Sequence, residues 1–164
     1  MTSLPKRSGS RPQTTPWMPH MQIRVTPDPD IKAELSRRCY SLPGVRDEPT
    51  RISIPGARAL WLEENMPLAH GEVILVGREF AHIHPDGSLH VTLSPERAVE
   101  AIQAEWAESH PLASQLGIDG MVLLYTPRDR QELDVIFQLV VDSYNYVTGA
   151  SIQSDQIVKS LQGI

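Results

Sequence analysis

The chain has 164 residues, a formal net charge of −5 and a single cysteine. Its length suits one domain, and 40% hydrophobic against 21% charged residues is a globular balance that excludes a collagen-like or coiled-coil protein. One cysteine excludes an intrachain disulfide, so we expect a reducing, cytoplasmic location. The acidic balance argues against a nucleic-acid surface, and no apolar run is long enough to predict a membrane span.

Prolines and histidines divide the chain into regions. Nine of the 14 prolines lie within residues 1–55, and five of the six histidines lie within residues 70–110. We therefore predict a flexible Pro-rich leader at 1–27, an α+β domain at 28–150 and a tail or short helix at 151–164.

The first half of the predicted domain reads as one helix followed by strands. Acidic residues at the start of residues 28–38 and arginines at their end are typical of a short helix. Runs of apolar residues then predict strands at 51–54, 57–63, 71–84 and 89–93. Gly77 marks a turn or bulge within the third of these strands.

The second half adds two helices around one more strand. Ser94 is a typical N-cap, and the helix after it is predicted to end before His110. Its predicted buried stripe is Val99, Ile102 and Trp106. A strand at 121–125 precedes a helix that Asp129 caps and Gly149 ends. This order predicts an α+β fold, a mostly antiparallel sheet with helices packed on one face as a two-layer sandwich.

Histidines flank a tight turn between two of the strands. Residues 84–88 read His-Pro-Asp-Gly-Ser, which suits a type I turn followed by a left-handed glycine. In that register His84 faces Ser88, and His82 faces His90 at about 4.5–5.5 Å. A two-residue Asp-Gly turn would instead place His90 on the other face. The proline favours the first register, so three imidazoles are predicted on one sheet face.

Spacing alone leaves three roles open for His82, His84 and His90. Three strand-borne histidines can hold zinc or iron. A metal-free cluster can transfer protons, because imidazole titrates near neutrality. A half-exposed polar face with satisfied histidines needs no chemical role.

Further candidate residues lie outside the hairpin. His110 is predicted at a helix end, where the helix dipole favours a cation. Arg128 lies near the N-terminal end of the following helix, so it needs either a pair with Asp129 or Glu132 or an anionic ligand. Tyr125 can offer a phenol or pack in the core. Since no glycine-rich phosphate loop or nucleophile elbow is present, flavin, nicotinamide and ATP lack sequence support.

Several segments, taken in order, resemble the fungal luciferase family. They are Arg-Glu-Phe-Ala-His-Ile-His at 78–84, Ser-Leu-His at 88–90, Trp106 with His-Pro-Leu-Ala at 110–113, Leu-Tyr-Thr-Pro-Arg at 124–128, and Ser-Tyr-Asn-Tyr-Val-Thr-Gly at 143–149. The resemblance covers about residues 72–149 and extends to short bacterial proteins of unknown function. It makes the domain at 28–150 luciferase-like.

The resemblance implies an oxygenase that uses no flavin or metal. Such an enzyme adds O2 to an enolic hydroxy-α-pyrone similar to 3-hydroxyhispidin, forms a cyclic peroxide and loses CO2. His84 or His82 is then implied as the base, His90 as a proton relay, and Arg128 with protonated His110 as the cations that hold the enolate. The substrate-binding residues implied are Phe80, Trp106 and Tyr125, with Leu124 in the same apolar wall.

The resemblance leaves the physiological substrate, light emission and oligomeric state open. Fungal luciferases carry a hydrophobic N-terminal anchor, which we do not expect here, and a longer His-rich hairpin. The expected partner is a small aromatic or pyrone molecule, with no nucleic acid, no membrane and no cofactor beyond O2. The alternative functions are a non-catalytic module that binds zinc, iron or a small ligand at His82, His84 and His90, or a purely structural domain.

Overall fold

The computed structural model describes residues 2–163, and its centre is an open antiparallel sheet of six strands. The strands are β1 (Val45–Pro49), β2 (Arg58–Leu62), β3 (Glu79–Ile83), β4 (Leu89–Thr92), β5 (Ala107–Ser109) and β6 (Met121–Leu124). Their spatial order is β1-β2-β3-β4-β6-β5, and each neighbouring pair is antiparallel. The predicted α+β class is confirmed.

Helices cover one face of the sheet, with one exception. They are α1 (Pro29–Cys39), α2 (Pro95–Gln103), α3 (Ala113–Leu116), α4 (Arg130–Thr148) and α5 (Ser154–Leu161). The exception is the short α3, which borders the other face, where its Leu116 lines a cavity. The long helix α4 packs on β4 and contacts α1 and α5. None of the helices described here is both long and apolar enough to cross a bilayer.

The core lies between the sheet and α4. Its main members are Leu60, Leu62, Ala81, Ile83, Leu89, Val91, Val122 and Leu124 from the strands, with Leu133, Ile136, Phe137, Val140 and Tyr144 from α4. Because side chains alternate along a strand, the residues between these, among them His82 and His90, point to the opposite face. The functional candidates therefore lie on the opposite face, which is free of helices apart from the short α3 at its border (the helix-free face).

The predicted ends of α1 and α4 are confirmed. The Asp28 carboxylate caps α1 by accepting the Asp30 and Ile31 backbone N–H groups. The Asp129 carboxylate caps α4 through the Glu132 N–H, and α4 ends at Gly149, whose φ of 84° is left-handed. These ends follow from local side-chain chemistry, which is why the sequence predicts them.

Two strand predictions in the first half are wrong. The strand expected at 51–54 lies instead at 45–49, and the first part of the strand expected at 71–84 is a 3-10 turn at Gly71–Val73 followed by irregular backbone. β1 is an edge strand whose middle residues carry charged, largely exposed side chains, so it lacks the alternating pattern of a half-buried strand. The apolar run before Gly77 lines a cavity rather than a sheet.

The helix after Ser94 is shorter than predicted. It ends at Gln103, Glu105 takes a left-handed φ of 69°, and the chain turns into β5. The predicted stripe is wrong for Val99, which is 53% exposed, whereas Trp106 is buried as predicted; the buried face of α2 holds Ala98, Ala101 and Arg97. The Nε of Arg97 donates to Asp142 Oδ2 of α4 at 2.8 Å, so this buried ion pair directs which face of α2 turns inward.

The leader, predicted to be flexible, packs against the sheet face that carries the histidines. Arg7, His20 and Gln22 are buried, and a bridge joins Thr14 to Gln22. The Gln22 amide exchanges two hydrogen bonds with Thr126, at 2.7 and 3.0 Å. The helix-free face is therefore covered by the N-terminal segment, while the domain boundary at residue 27 stays a prediction.

Candidate functional site

One row of paired residues crosses five strands on the helix-free face. The register pairs Ala59 with His82, His82 with His90, His90 with Leu123, and Leu123 with Glu108. The predicted His82–His90 pairing is thus confirmed. Because paired residues share a face, the row also places Glu108 of β5 in line with the histidines.

The turn that sets this register has the predicted form. The His84 N–H donates to the Ser88 carbonyl at 2.8 Å, and the Gly87 N–H donates to the His84 carbonyl at 2.9 Å. Gly87 has a φ of 88°, the left-handed conformation that glycine adopts without steric cost. The turn therefore brings His84 onto the same face as His82 and His90.

The structure adds a histidine that the sequence analysis did not assign to the site. His20 of the N-terminal segment is buried, and its Nδ1 lies 3.1 Å from His90 Nε2. Its Nε2 lies 2.8 Å from Glu108 Oε2. The only signal in the sequence is that His20 is the sixth histidine of a chain whose other five lie in the middle region, and 70 residues separate it from His90.

Five side chains form one continuous chain of close polar contacts across the sheet. Glu79 Oε2 lies 3.1 Å from His82 Nδ1, and His82 Nε2 lies 3.1 Å from His90 Nδ1. The His90–His20 and His20–Glu108 contacts complete it. Each of the three imidazoles in the chain uses both ring nitrogens, and a carboxylate closes each end.

Both terminal carboxylates are held in the charged form. Burial raises the pKa of Glu79, but donors from His82, the Arg51 backbone and the Thr50 hydroxyl outweigh it, so the pKa lies below its usual value. Burial likewise raises the pKa of Glu108, and its three donor side chains lower it overall. Those donors are His20, Thr14 and Tyr125.

His84 lies next to this row of contacts, and one of its ring nitrogens has no hydrogen-bond partner among the described residues. Its Nδ1 lies 2.9 Å from Ser88 Oγ, and that hydroxyl donates to Asp86 Oδ1 at 2.6 Å. Among the residues described, the buried His84 Nε2 has no hydrogen-bond partner. Burial, then the charges of His82 and His20, lower the pKa of His84 to about 3, so its imidazole is neutral at pH 7.

His110 lies at the same cluster but differs from its predicted state. It follows β5 rather than ending a helix, and its ring centroid is 4.9 Å from that of His90. Burial, then the charges of His20 and His82, lower the pKa of His110 to about 4, which disfavours at neutral pH the protonated form that the resemblance implies. Its Nδ1 accepts the Leu112 N–H at 3.0 Å, which leaves Nε2–H as a donor.

A cavity of about 410 Å³ opens beside the histidines. His20, His82, His90 and His110 line it, and so does Phe80. The rest of the wall is largely apolar and comes from four segments of the chain, the last of which runs from α3 to the start of β6: Met18, Pro19 and Met21; Ile52 and Ile54; Val73 and Leu75; and Leu112, Leu116 and Met121. The cavity thus combines an imidazole floor with apolar sides.

Three predicted site residues do not line this cavity. The Arg128 side chain pairs with Glu132 and donates to the Ser8 carbonyl at 2.7 Å, so the predicted ion pair explains its place near the start of α4. The Trp106 indole N–H donates to the Pro5 carbonyl at 2.6 Å. The Tyr125 hydroxyl donates to Glu108 Oε1 at 2.9 Å and reaches the cluster only through that carboxylate and His20.

His84, one of the two predicted bases, also lies behind the cavity wall. His82 lines the cavity, whereas His84 is 1% exposed and does not. The catalytic roles assigned from the sequence to His82, His84, His90, His110 and Arg128 stay predictions.

The fold and site define an α+β domain in which five histidines cluster on one side of the sheet beside a largely apolar cavity. Residues 77–143 match the family model described as "Luciferase domain", and this range spans β3, β4, α2, β5, α3, β6 and most of α4. The predicted resemblance to the luciferase family is therefore confirmed.

Curated relatives point to the same family. The chain is 29% identical to the luciferases of Armillaria gallica and Armillaria ostoyae and 26% identical to that of Neonothopanus nambi. Each comparison covers 90% of this chain and 62% of the relative, so the chain spans somewhat less than two thirds of those proteins. No solved structure gives a significant match.

Proposed function

We propose that the protein is a luciferase-like oxygenase that adds O2 to a small enolic substrate of the hydroxy-α-pyrone class. The observation that carries the proposal is the cavity lined by four histidines, three of which belong to the segment that matches the luciferase family. Peroxide formation and loss of CO2 belong to the proposal, while light emission is a separate question that the same assay answers.

The size and polarity of the cavity suit a flat, mostly apolar ring. About 410 Å³ falls in the range of small-molecule sites, roughly 300–1,000 Å³. Leu75 and Leu116 line the cavity and are nevertheless 47% and 46% exposed, so the mouth offers apolar surface that a bound ligand would cover. Such a mouth favours an aromatic or pyrone substrate over a sugar or a nucleotide.

The imidazole floor supplies what an enol needs before it reacts with O2. The enolate, not the neutral enol, is electron-rich enough to give an electron to O2, so the site must stabilise its negative charge. The Nε2–H of His110 is a donor within the cavity, and the facing nitrogens of His82 and His90 provide a place for a positive charge. Since the substrate supplies the electrons, neither flavin nor nicotinamide is needed.

The proposed function predicts O2 consumption by the purified full chain. We would mix the protein with a 3-hydroxy-α-pyrone and measure O2 uptake, CO2 release and photon emission in the same sample. His110→Ala should reduce the uptake rate by about 100-fold, the usual effect of removing one donor to a developing oxyanion. His70→Ala is the matched control, because His70 is half-exposed, stacks on Tyr146 and lies outside the cavity.

The outcomes separate the alternatives. Uptake by the wild type and by His70→Ala, with a large loss in His110→Ala, supports an enzyme. A folded protein that binds the pyrone but consumes no O2 supports a non-catalytic ligand-binding module. A folded protein that neither binds nor consumes any pyrone contradicts the proposal.

A further inference from the structure

If each imidazole is neutral, the contacts around the histidine cluster indicate which nitrogen of each ring carries the proton. The Ser88 hydroxyl gives its hydrogen to Asp86 Oδ1, so the contact between His84 Nδ1 and Ser88 Oγ requires Nδ1–H as the donor. His84 Nε2, buried and unpartnered among the residues described, is then a lone pair. This lone pair is the first of three.

The two carboxylates fix the other rings. With His82 neutral, a proton on Nδ1 faces Glu79 at 3.1 Å, which leaves the lone pair of His82 on Nε2. With His20 neutral, its Nε2–H donates to Glu108, so His20 Nδ1 is an acceptor and His90 donates to it through Nε2–H. The lone pair of His90 is therefore on Nδ1, which lies 3.1 Å from His82 Nε2.

With every ring neutral, three lone pairs are left with no proton among them. Ring nitrogens of His82, His84 and His90, one from each residue, lie within 4.8 Å of one another. Two lone pairs at 3.1 Å repel each other, so a cation between them stabilises this arrangement.

We propose that His82 Nε2, His84 Nε2 and His90 Nδ1 bind one divalent transition-metal ion of the zinc or iron(II) class. Three neutral imidazoles are a donor set that such ions accept, and metal–nitrogen bonds of about 2.0–2.1 Å place tetrahedral ligand nitrogens ~3.3 Å apart. The 3.1 Å between His82 Nε2 and His90 Nδ1 is close to that separation.

The outer nitrogen of each ligand has a partner, as metal-bound histidines usually do. Glu79 holds His82, Ser88 with Asp86 holds His84, and the buried His20 holds His90. Such partners fix the tautomer and the orientation of the ring, and their loss typically weakens metal binding by about 10–100-fold.

The second group of close histidines does not fit a metal ion. Ring nitrogens of His20, His90 and His110 also lie within 4.8 Å of one another. However, His20 uses both nitrogens, His90 presents Nε2–H to it, and His110 Nδ1 accepts the Leu112 N–H. The tautomers therefore assign the metal to the three-histidine set on the hairpin and leave His110 as a hydrogen-bond donor.

The proposal stands without the proposed function and changes one expectation made from the sequence. His82 would then be a ligand rather than the base, and the chain would bind a metal ion that the resemblance does not imply. His82 and His90 line the cavity, so the ion would be bound close to its wall.

The test uses the full chain, stripped with a chelator and titrated separately with Zn²⁺, Fe²⁺ and Co²⁺. We expect one ion per chain, and imidazole-ligated Co²⁺ should develop visible absorption bands. His84→Ala should weaken binding at least 100-fold, His110→Ala should change it less than three-fold, and the matched control His70→Ala should not change it. Equal loss in His84→Ala and His110→Ala, or binding unaffected by His84→Ala, overturns the assignment.

A second measurement on the wild type does not depend on how the variants fold. Nitrogen-15 spectra of the imidazoles should show Nδ1–H on His84 and Nε2–H on His90 in the metal-free protein. Zn²⁺ should then shift His82 Nε2, His84 Nε2 and His90 Nδ1 and leave His70 unshifted. A protonated imidazolium in the cluster together with no metal binding at micromolar concentrations would show that a proton, not a metal ion, occupies the place and would overturn the proposal.

The metal result and the functional result are read separately. Stoichiometric binding without O2 uptake supports the metal site and contradicts the oxygenase. Full O2 uptake by metal-stripped protein supports the oxygenase and contradicts a metal ion as part of its working site.

Discussion

The Nε2 of His20 lies 2.8 Å from the Oε2 of Glu108, and this contact joins the N-terminal segment to the edge strand β5. Through it Glu108 determines the tautomer of His20, and His20 in turn determines that of His90. Glu108, which lies outside the cavity, thereby influences which ring nitrogen of His90 faces the centre of the cluster.

Replacing that carboxylate with an amide should disturb the cluster without removing bulk. In Glu108→Gln, the amide can either accept from or donate to His20, so the tautomers of His20 and His90 are no longer fixed. We expect the O2 consumption rate to fall about 10–100-fold, as for other residues that orient a ligand or catalytic group. The check is O2 uptake at saturating pyrone.

The control for this experiment is Glu105→Gln. Glu105 makes only long salt bridges, to Lys6 at 4.0 Å and to Arg11 at 3.8 Å, and such exposed pairs contribute little. If the O2 consumption rate fell equally in Glu108→Gln and Glu105→Gln, the cause would be a general effect of lost charge and not the contact with His20.

The apolar mouth of the cavity should govern substrate affinity. Leu116 lines the cavity but is about half exposed in the free protein, so Leu116→Ser should cost little stability and remove apolar surface that a bound ring would cover. We expect KM to rise about 5–20-fold with kcat nearly unchanged. Steady-state kinetics would measure this, with the exposed and remote Val99→Ser as control; equal KM values in the two variants would contradict the assigned cavity.

The hairpin could be predicted from the sequence because its determinants are local. A proline, an aspartate and a glycine at fixed positions specify the turn, and the turn specifies that His82 faces His90. The caps at Asp28 and Asp129 could be predicted for the same reason. Each of these features depends on residues only a few positions apart.

The part of the site that the sequence analysis did not predict depends on long-range contacts. His20 reaches His90 across 70 residues, and no periodicity in a Pro-rich segment encodes that contact. β5 supplies Glu108 but has only three residues and one fully buried side chain, so it carries no strand pattern. Arg128, which the sequence marked as misplaced, is explained by its pair with Glu132 rather than by a ligand.

The ion pair of Glu132 with Arg128 predicts a specific acid sensitivity. Burial raises the pKa of Glu132, but the Arg128 side chain and backbone N–H outweigh it, so the folded-state pKa lies below the unfolded value of 4.5. The unfolded state therefore binds the proton more readily as pH falls. The pair's stabilisation is present above about pH 4.5 and is lost as the pH drops through the folded-state pKa.

Urea unfolding of Glu132→Gln between pH 7 and pH 3 would check this. The variant should be less stable than the wild type by about 1–3 kcal/mol at pH 7, and the difference should shrink below pH 4.5. Asp119→Asn, at an exposed position, is the control and should follow the wild type. A difference that stays constant across this range would contradict a role for the carboxylate charge.

Gly120 should tolerate no side chain, because β6 begins directly beside the backbone of Leu93. A Cβ on Gly120 would lie 1.8 Å from the Leu93 carbonyl oxygen, and the Leu93 N–H donates to the Gly120 carbonyl at 2.9 Å. Relief of that clash would break the hydrogen bond that ties the end of β4 to the start of β6. We expect Gly120→Ala to lose at least ~3 kcal/mol, a severe effect for a single methyl group.

Gly117→Ala is the matched control for this substitution. Nothing lies within 4 Å of a Cβ at Gly117, so only its left-handed φ of 69° opposes a side chain, at a cost of about 1 kcal/mol. Thermal and urea unfolding of the two variants would compare backbone crowding with backbone strain alone. If both variants lost the same stability, the close approach of β6 to Leu93 would not be a determinant of the fold, and the strand that pairs with His90 would owe its position to other contacts.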